Sequence, residues 1–287
     1  MAMSAGGEKE GVHLLMSAFI VYRIVRAPLG LSFGFVIMYG AFISNFSPVL
    51  LLSALALFLT ELFGAFYNDF CDHEEDMRNR KTDKMILSGM LSRRHMLHIA
   101  AIIAIAALII SAAASVFVMA LSIYCLVLYT LYSSRKVRLK GSLPGYAAAA
   151  SLAFFFPFAL DAALQRPFSL FTAAFGFFFF FQGMYILCQK DSTDLKDKRN
   201  LFVTNGWRFG FASAAFFGTL ASASLLLAAI GYGSFSFPVA AVWIFNAFSK
   251  GYNLERILSR KITRKMRHVL VLFEFLTPYL YALAVLL

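Results

Sequence analysis

Long apolar runs separated by short charged connections repeat along this chain of 287 residues. Each run is close to the roughly 20 apolar residues that a helix needs to cross the hydrocarbon core of a bilayer. The runs fall at 29–47, 49–68, 97–117, 118–132, 144–163, 168–188, 209–231, 234–249 and 268–287. A content of 60% hydrophobic and 14% charged residues excludes an ordinary soluble domain. The sequence therefore predicts an all-α polytopic membrane protein of about nine transmembrane helices around a central cavity.

Basic residues are concentrated in alternate connections between these runs. Clusters of lysine and arginine precede the first run and follow the second, fourth, sixth and eighth. In the intervening connections the basic residue is Arg166, between the fifth and sixth runs. By the positive-inside rule, the amino terminus and the basic connections are predicted to be cytoplasmic and the carboxyl terminus outside. The net charge of +11 is therefore interpreted as topological, and no nucleic-acid partner is predicted.

The order of the runs also predicts a domain organisation. Residues 1–11 are polar and glycine-rich and are expected to form a disordered tail, whereas residues 12–287 form one transmembrane domain. Residues 12–26 have the alternating pattern of a helix on the cytoplasmic surface. The basic connection 250–267 is interpreted as a surface anchor. Acidic patches follow the second and sixth runs, which suggests two four-helix units with a ninth helix added.

The first acidic patch lies in the stretch from Tyr67 to Gly89, which reads YNDFCDHEEDMRNRKTDKMILSG. On a helix, Asn68, Asp72 and Asp76 share one face at a spacing of i, i+4 and i+8, and Asp69 lies beside them. Oxygen ligands of this kind suit Mg²⁺, which commonly shares them with a substrate phosphate. The stretch from His73 to His98 is predicted to be the longest cytoplasmic loop.

A second acidic patch follows the sixth run, in the sequence QKDSTDLKDKRN. It contributes Asp191, Asp194 and Asp197. Two such patches facing each other across a cavity would hold two metal ions and a diphosphate between them. Within the first patch Arg80 and Lys84 lie four residues apart and can bind phosphate, with a solvated basic loop as the alternative reading.

Two further acidic residues lie within or beside the apolar runs. Glu61 stacks with Asn68 and Asp72 on one helix face, about 10 Å deeper at 1.5 Å per residue. Carboxylates inside a membrane are functional candidates by default, and a glutamate hydrogen-bonded between helices for packing is the alternative. Asp161 and Arg166 lie at the outer end, where an ion pair between them is predicted.

These motifs resemble those of the UbiA superfamily of intramembrane prenyltransferases. The sequence from Asn68 to Asp76 matches the family pattern NDxxDxxxD, and Asn79 to Gly89 is similar to NRPDKPLVSG with one extra residue and both prolines missing. Tyr132, Ser133 and the sequence Leu139-Lys140-Gly141 are similar to the YS..LKG loop. Lys190 to Asp197 is similar to KDxxDxxxD, but Lys198 stands where the last aspartate is expected and Asp197 comes one place early.

The resemblance implies a Mg²⁺-dependent transfer of a polyprenyl group from its diphosphate to a lipophilic acceptor, aromatic or hydroxyl-bearing, among membrane lipids. The metal ligands that it implies are Asn68, Asp69, Asp72, Asp76, Asp191, Asp194 and Asp197. Within that set the catalytic carboxylates would be Asp72, Asp76 and Asp194. Positive charge for the departing diphosphate would come from Arg80, Lys84, Arg138, Lys140 and Lys190.

Two other functions are compatible with the sequence. A terpene cyclase of the same fold would capture the cation with the substrate's own double bond, and the altered second motif keeps that reading open. A cation transporter would place acids within the spans, whereas here Glu61 and Glu274 are the deep ones and most acids lie at the cytoplasmic rim.

Overall fold

The computed structural model describes residues 31–78, 92–134, 136–137, 139, 142–192, 201–231, 236–261 and 276–286. The regular elements in these ranges are helices, in agreement with the predicted all-α class. They are α1 Leu31–Phe42, α2 Pro48–Arg78, α3 Arg93–Ala114, α4 Val116–Ser133, α5 Leu143–Ala163, α6 Leu170–Asp191, α7 Leu201–Thr204, α8 Trp207–Gly231, α9 Phe237–Leu258 and α10 Leu276–Leu286. The predicted tail 1–11 and surface helix 12–26 lie outside the described residues.

Serine caps set the start of several helices. Ser92, Ser115 and Ser142 each accept a hydrogen bond from the backbone N–H three residues on, at 3.2, 3.1 and 3.1 Å. Such a cap satisfies one of the N–H groups that the first turn leaves without a helical partner. Ser115 is extended and separates α3 from α4, so the apolar stretch after Arg93 divides a few residues earlier than its hydropathy suggested.

Within the described ranges each predicted run contains a helix, but the helices differ in their capacity to span a membrane. In the described part of the chain six helices are long and apolar enough, namely α2, α3, α4, α5, α6 and α8. In the same ranges, helices α1 and α10 are apolar but shorter than these six. Helix α9 has a polar face of Asn246, Lys250 and Asn253, which lowers its hydropathy. The chain is a multi-pass membrane protein, and nine spans stay a prediction.

The helices pack around two centres, α2 and α6. Helix α2 packs against α1, α3 and α4, while α6 packs against α5 and α8, and α9 packs against α8. Rings from α1 and α6 form much of the apolar core between these centres, with Phe35 and Phe179 stacked at 4.1 Å between centroids. In a bilayer such contacts stabilise helix association mainly through close packing, because lipid tails are as apolar as the side chains.

Two predictions about the polar connections were wrong. Helix α2 continues to Arg78, so residues 73–78 are helical and the predicted loop from His73 to His98 is shorter at both ends, since α3 begins at Arg93. Lys250 is 3% exposed within α9 rather than part of a surface anchor. Its Nζ donates a hydrogen bond to Asn246 Oδ1 one turn earlier, and Asn246 Nδ2 donates to Thr277 of α10, so the ammonium group is held inside the bundle.

Candidate functional site

The acidic face of α2 is buried at one end of the bundle. Asp69, Asp72 and Asp76 are 3%, 5% and 3% exposed, and Asn68 is half-buried. All four belong to the last three turns of α2, where the negative end of the helix dipole adds to the charge of the carboxylates. This end of α2 therefore has a strongly negative potential, which favours a bound cation.

Asn68 contacts the end of the neighbouring helix α4. The Ser133 hydroxyl donates a hydrogen bond to Asn68 Oδ1 at 3.4 Å, and Ser133 is the last residue of α4. The amide is thereby oriented by a second helix.

Asp191 is the last residue of α6 and joins three helices. Its Oδ2 accepts a short hydrogen bond from the Tyr146 hydroxyl of α5 and a second, of 2.9 Å, from the backbone N–H of Leu201, where α7 begins. One carboxylate oxygen thus connects α5, α6 and α7. These contacts fix the position of the carboxylate at the end of α6.

Tyr132 connects the two acidic patches. It lies one residue before the end of α4, within electrostatic range of both Asp72 of α2 and Asp191 of α6. Asp72 and Asp191, 119 residues apart in the chain, therefore lie at the same end of the bundle. We call Asn68, Asp69, Asp72, Asp76 and Asp191 the acidic rim.

The side chains of the described rim carry oxygen donors of the kind that metal ions bind. Within the ranges that the structure covers, no three acidic, histidine or cysteine side chains lie close enough together to hold a metal ion. Asp194 and Asp197 lie outside those ranges. The donors that are described are carboxylate and amide oxygens, the hard ligands that Mg²⁺ and Ca²⁺ accept, so the chemistry of the rim fits such a cation.

The side chains of the five residues predicted to bind phosphate are not among those described. Lys190 belongs to the last turn of α6, beside Asp191, and its side chain is not among those described. The other four, Arg80, Lys84, Arg138 and Lys140, fall in the connections that follow α2 and α4 and lie outside the described residues. Their roles stay predictions.

Glu61 lies on α2 below the acidic rim and lines a partly open pocket of about 50 Å³. The pocket is lined by side chains of α1, α2, α4 and α5, most of them apolar. A carboxylate near the middle of a membrane helix costs about 3 kcal/mol relative to an apolar residue. Glu61 interacts electrostatically with Cys125 and Tyr129 of α4 and with Tyr279 of α10.

Three buried or partly buried polar residues, Tyr146, Tyr129 and Lys250, were missed by the sequence analysis. Tyr146 lies one turn into α5, and nothing in its local sequence connects it with Asp191, which is 45 residues further on. Tyr129 precedes Tyr132 by three residues and therefore shares its helix face, a periodicity that could have been read directly. Lys250 carried no signal, because a lysine at the end of an apolar run is normally a topological charge.

At the opposite end of α5, the predicted ion pair of Asp161 and Arg166 is confirmed at 3.5 Å. Asp161 is 2% exposed. It also accepts hydrogen bonds from Tyr39 of α1 and Thr172 of α6, both of 2.5 Å. This carboxylate joins α1, α5 and α6 and is far from the acidic rim.

Comparison with protein families identifies the fold and the enzyme class. The model of the UbiA prenyltransferase family matches residues 29–276, most of the chain. The chain belongs to the UbiA prenyltransferase family. This confirms the resemblance seen in the motifs, and it makes the protein a prenyltransferase. UbiA proteins are generally metal-dependent, which agrees with the oxygen donors of the rim.

Comparison with solved structures supports the same UbiA fold. The structure of digeranylgeranylglyceryl phosphate synthase, described as a study of that enzyme in membranes, is similar with a TM-score of 0.62. The alignment covers 92% of this chain and 96% of that one at 18% sequence identity, which establishes a likeness of fold alone. Comparison with curated protein sequences found no match.

Proposed function

We propose that this UbiA protein transfers a polyprenyl group from its diphosphate to a lipophilic acceptor that is aromatic or hydroxyl-bearing, with Mg²⁺ as the cofactor. The observation that carries the proposal is the proximity of the two family motifs at the end of α4, where Ser133 donates a hydrogen bond to Asn68 and the adjacent Tyr132 lies within electrostatic range of Asp72 and Asp191. A diphosphate bound there would keep its charge at the membrane surface while its prenyl chain stays in the apolar interior.

The reaction requires one bond to break and one to form. The bond between C1 of the prenyl group and the diphosphate oxygen breaks, and its electron pair leaves with the diphosphate. A nucleophilic atom of the acceptor then bonds to C1, and the acceptor loses a proton. Water must be kept out, because it would capture the allylic cation, and a site between membrane helices excludes it.

Asn68, Asp69, Asp72, Asp76 and Asp191 would hold the cation, together with Asp194 and Asp197. When bound there, Mg²⁺ neutralises charge on the diphosphate as it leaves. Ser133 and Tyr146 would act by orientation, since the first donates to Asn68 and the second to Asp191. The cations that complement the leaving group would be Lys190, Arg80, Lys84, Arg138 and Lys140.

We also propose that the acidic rim faces the cytoplasm. The connections after α2 and α4 and the segment after α9 are rich in lysine and arginine, as expected for cytoplasmic loops. Glu74, half-exposed beside the rim, offers a labelling position because Cys71, Cys125 and Cys188 are buried. In a Glu74→Cys variant with the native cysteines replaced, a membrane-impermeant maleimide should react in inside-out vesicles and not in right-side-out ones; the reverse result overturns the orientation.

The enzymatic proposal is tested with purified protein in lipid nanodiscs and geranylgeranyl diphosphate as donor. Diphosphate release should require both Mg²⁺ and an acceptor, and it should fall about 10²–10³-fold in Asp72→Asn, as when one group that stabilises transition-state charge is removed. Glu74→Gln is the matched control. Glu74 is on the same helix, but its side chain is exposed and lies 3.9 Å from Arg93, so this variant should keep wild-type activity.

The products separate the alternative functions. A prenylated acceptor supports the transferase. A hydrocarbon or alcohol formed at the same rate without acceptor would identify a cyclase instead. Mg²⁺ flux across liposomes with no diphosphate release from any donor would contradict both enzymatic readings and favour a transporter.

A further inference from the structure

A groove between α4 and α5 lies at the end of the bundle opposite to the acidic rim. Three alanines in its lining, Ala120, Ala159 and Ala162, leave space between the two helices. Aromatic rings border that space, among them Phe117 and Phe168, which are 52% and 63% exposed. The volume of the groove is about 500 Å³, which is within the range of pockets that hold small molecules. The groove is therefore a concave part of the lipid-facing surface.

The surroundings of the groove determine the chemistry of its occupant. Its lining is apolar apart from the hydroxyl group of Tyr124, so a polar molecule would lose hydrogen bonds there without replacing them. An empty groove would deprive the lining atoms of dispersion contacts. In a bilayer the hydrocarbon at hand is a lipid chain, and a chain in the groove gains contacts on more than one side. The shape of the surface therefore favours a lipid chain bound in this place.

The length of the groove fits within one leaflet. It extends from Phe155 to Ala162 along α5, about 10 Å at 1.5 Å per residue, whereas half of a hydrocarbon core of roughly 30 Å is about 15 Å. On the rim side it is followed by Tyr124 and Ser151, whose hydroxyl groups share a hydrogen bond of 3.0 Å. A prenyl tail descending from the rim along these helices would pass this polar pair first. A lipid of the leaflet at the opposite end enters the groove directly.

A cationic side chain lies at the membrane-surface end of the groove. Arg166 belongs to the turn between Ala162 and Phe168, and both of these residues line the groove. Two backbone hydrogen bonds close the turn, from Gln165 N–H to Ala162 O at 3.3 Å and from Arg166 N–H to Asp161 O at 2.8 Å. The head group of a lipid whose chain fills the groove would therefore lie beside Arg166.

The Arg166 guanidinium has donors left for a ligand. Its Nε lies 3.5 Å from Asp161 Oδ1, and Asp161 also accepts hydrogen bonds from Tyr39 and Thr172. The arginine side chain is 37% exposed, and Nε carries one of the five N–H donors of a guanidinium. Basic residues are otherwise concentrated in the connections at the rim end, so this arginine is an exception to the charge pattern of the chain. A phosphate group matches the planar fork of guanidinium N–H groups.

We propose that this groove is a binding site for an anionic phospholipid, with one acyl chain between α4 and α5 and the phosphate group on Arg166. The site is at the opposite end of the bundle from the acidic rim and is independent of the prenyl transfer proposed there. The bound chain fills the gap between α4 and α5, so the lipid stabilises the contact between these helices.

The test measures how tightly the purified protein holds a lipid. Dioleoylphosphatidylglycerol is titrated into the protein in detergent micelles, and native mass spectrometry gives the dissociation constant of the first bound lipid. The wild type should bind it about fivefold more tightly than dioleoylphosphatidylcholine, because one basic residue near a membrane surface contributes about that factor toward an anionic lipid. Arg166→Gln should remove this preference. Arg94→Gln, the same change at an exposed position on α3, should keep it.

A second variant leaves the ion pair of Arg166 intact and covers the case in which Arg166→Gln does not fold. Ala159→Phe puts a ring into the groove and should abolish tight binding of either lipid, whereas Ala101→Phe, the same change on the exposed face of α3, should not. Unchanged binding by a folded Ala159→Phe protein would overturn the site. So would a loss of preference in Arg94→Gln equal to that in Arg166→Gln. Displacement of the lipid by geranylgeranyl diphosphate would assign the groove to the donor tail and overturn the proposal as well.

Discussion

Buried carboxylates lie at both ends of the helix bundle, and they are arranged differently. Asp161 is a single carboxylate that pairs with Arg166 and accepts hydrogen bonds from Tyr39 and Thr172. At the other end, about 22 Å away along α5 at 1.5 Å per residue, four buried or half-buried carboxylates are gathered on α2 and α6. Burial alone therefore does not mark the functional site.

The difference lies in the local density of like charge. The charges of Asp161 and Arg166 compensate each other, and the contacts of Asp161 join three helices. This carboxylate therefore stabilises the fold. Several carboxylates at the negative ends of two helices repel one another, and the repulsion is strongest where water is excluded. Such an arrangement is stabilised by bound cations. The comparison predicts that substitutions at the rim reduce activity, while substitutions at Asp161 reduce stability.

The largest effect is expected for Asp191→Asn. Loss of this charge at the end of α6 should lower kcat about 10²–10³-fold, by analogy with other groups that stabilise charge in a transition state. The amide can still accept from Leu201 N–H, so the thermal unfolding midpoint in detergent should stay close to that of the wild type. A normal rate in a folded variant would remove Asp191 from the site.

Tyr146→Phe should have the next largest effect. It removes the hydrogen bond to Asp191 and leaves the ring in place. Loss of a hydrogen-bond partner of a metal ligand typically costs about 10- to 100-fold in metal affinity or activity, so the Mg²⁺ concentration for half-maximal rate should rise by about that factor. Tyr124→Phe is the matched control, because the Tyr124 hydroxyl bonds Ser151 outside the site. An unchanged Mg²⁺ titration in Tyr146→Phe would show that the hydrogen bond has no part in cation binding.

At the other end of the bundle, Asp161→Asn should have the opposite effect from Asp191→Asn: it should lower stability and leave turnover nearly unchanged. Removing the charge weakens the ion pair with Arg166 and the two hydroxyl contacts, at a cost of about 1–3 kcal/mol of unfolding free energy. Turnover per folded molecule should stay within about twofold of wild type, because Asp161 and the acidic rim share no partner among the described residues. Unfolding midpoints and active-site titration measure the two quantities separately. A loss of turnover without a loss of stability would place Asp161 in the functional region after all.

The smallest effect is expected for Ser133→Ala. The hydrogen bond from Ser133 to Asn68 is 3.4 Å long, beyond the usual range of about 2.5–3.0 Å for O–H···O bonds, and is therefore weak. Its loss should lower kcat about threefold or less, in keeping with a neutral hydrogen bond of modest net worth. Rate measurements at saturating Mg²⁺ check this. A loss as large as that of Asp191→Asn would mean that Ser133 contacts a substrate directly.

The helices could be predicted closely from the sequence because bilayer thickness fixes the length of an apolar run. The run at 144–163 is helix α5, Leu143–Ala163, with bounds that differ by one residue at its start. The end of α2 was harder. The spacing of Asn68, Asp72 and Asp76 predicted a helical face, but the charged residues from His73 onward have the composition of a loop, whereas α2 continues to Arg78. The burial of Asp76 against the bundle is a tertiary effect that local composition does not contain.

The site could be predicted in part for a similar reason. Acidic motifs have fixed spacings, so Asp72 and Asp191 were accessible from the sequence. Their supporting residue Tyr146 was not, because it reaches Asp191 across 45 residues of chain. The burial of Lys250 was not accessible either, because its partner Asn246 is itself held by Thr277 of α10. Such contacts depend on how the helices pack, and hydropathy carries no information about the rotation of one helix against another.

The central claim is that the acidic rim binds a prenyl diphosphate through Mg²⁺, and binding without turnover tests it most directly. Geranylgeranyl thiodiphosphate, a donor analogue whose C1–S bond resists cleavage, can be titrated calorimetrically into the protein in nanodiscs, with and without Mg²⁺. The account predicts Mg²⁺-dependent binding that is lost in Asp72→Asn and retained in Asp161→Asn. Equal binding without Mg²⁺, or undiminished binding by the Asp72→Asn protein, would contradict it.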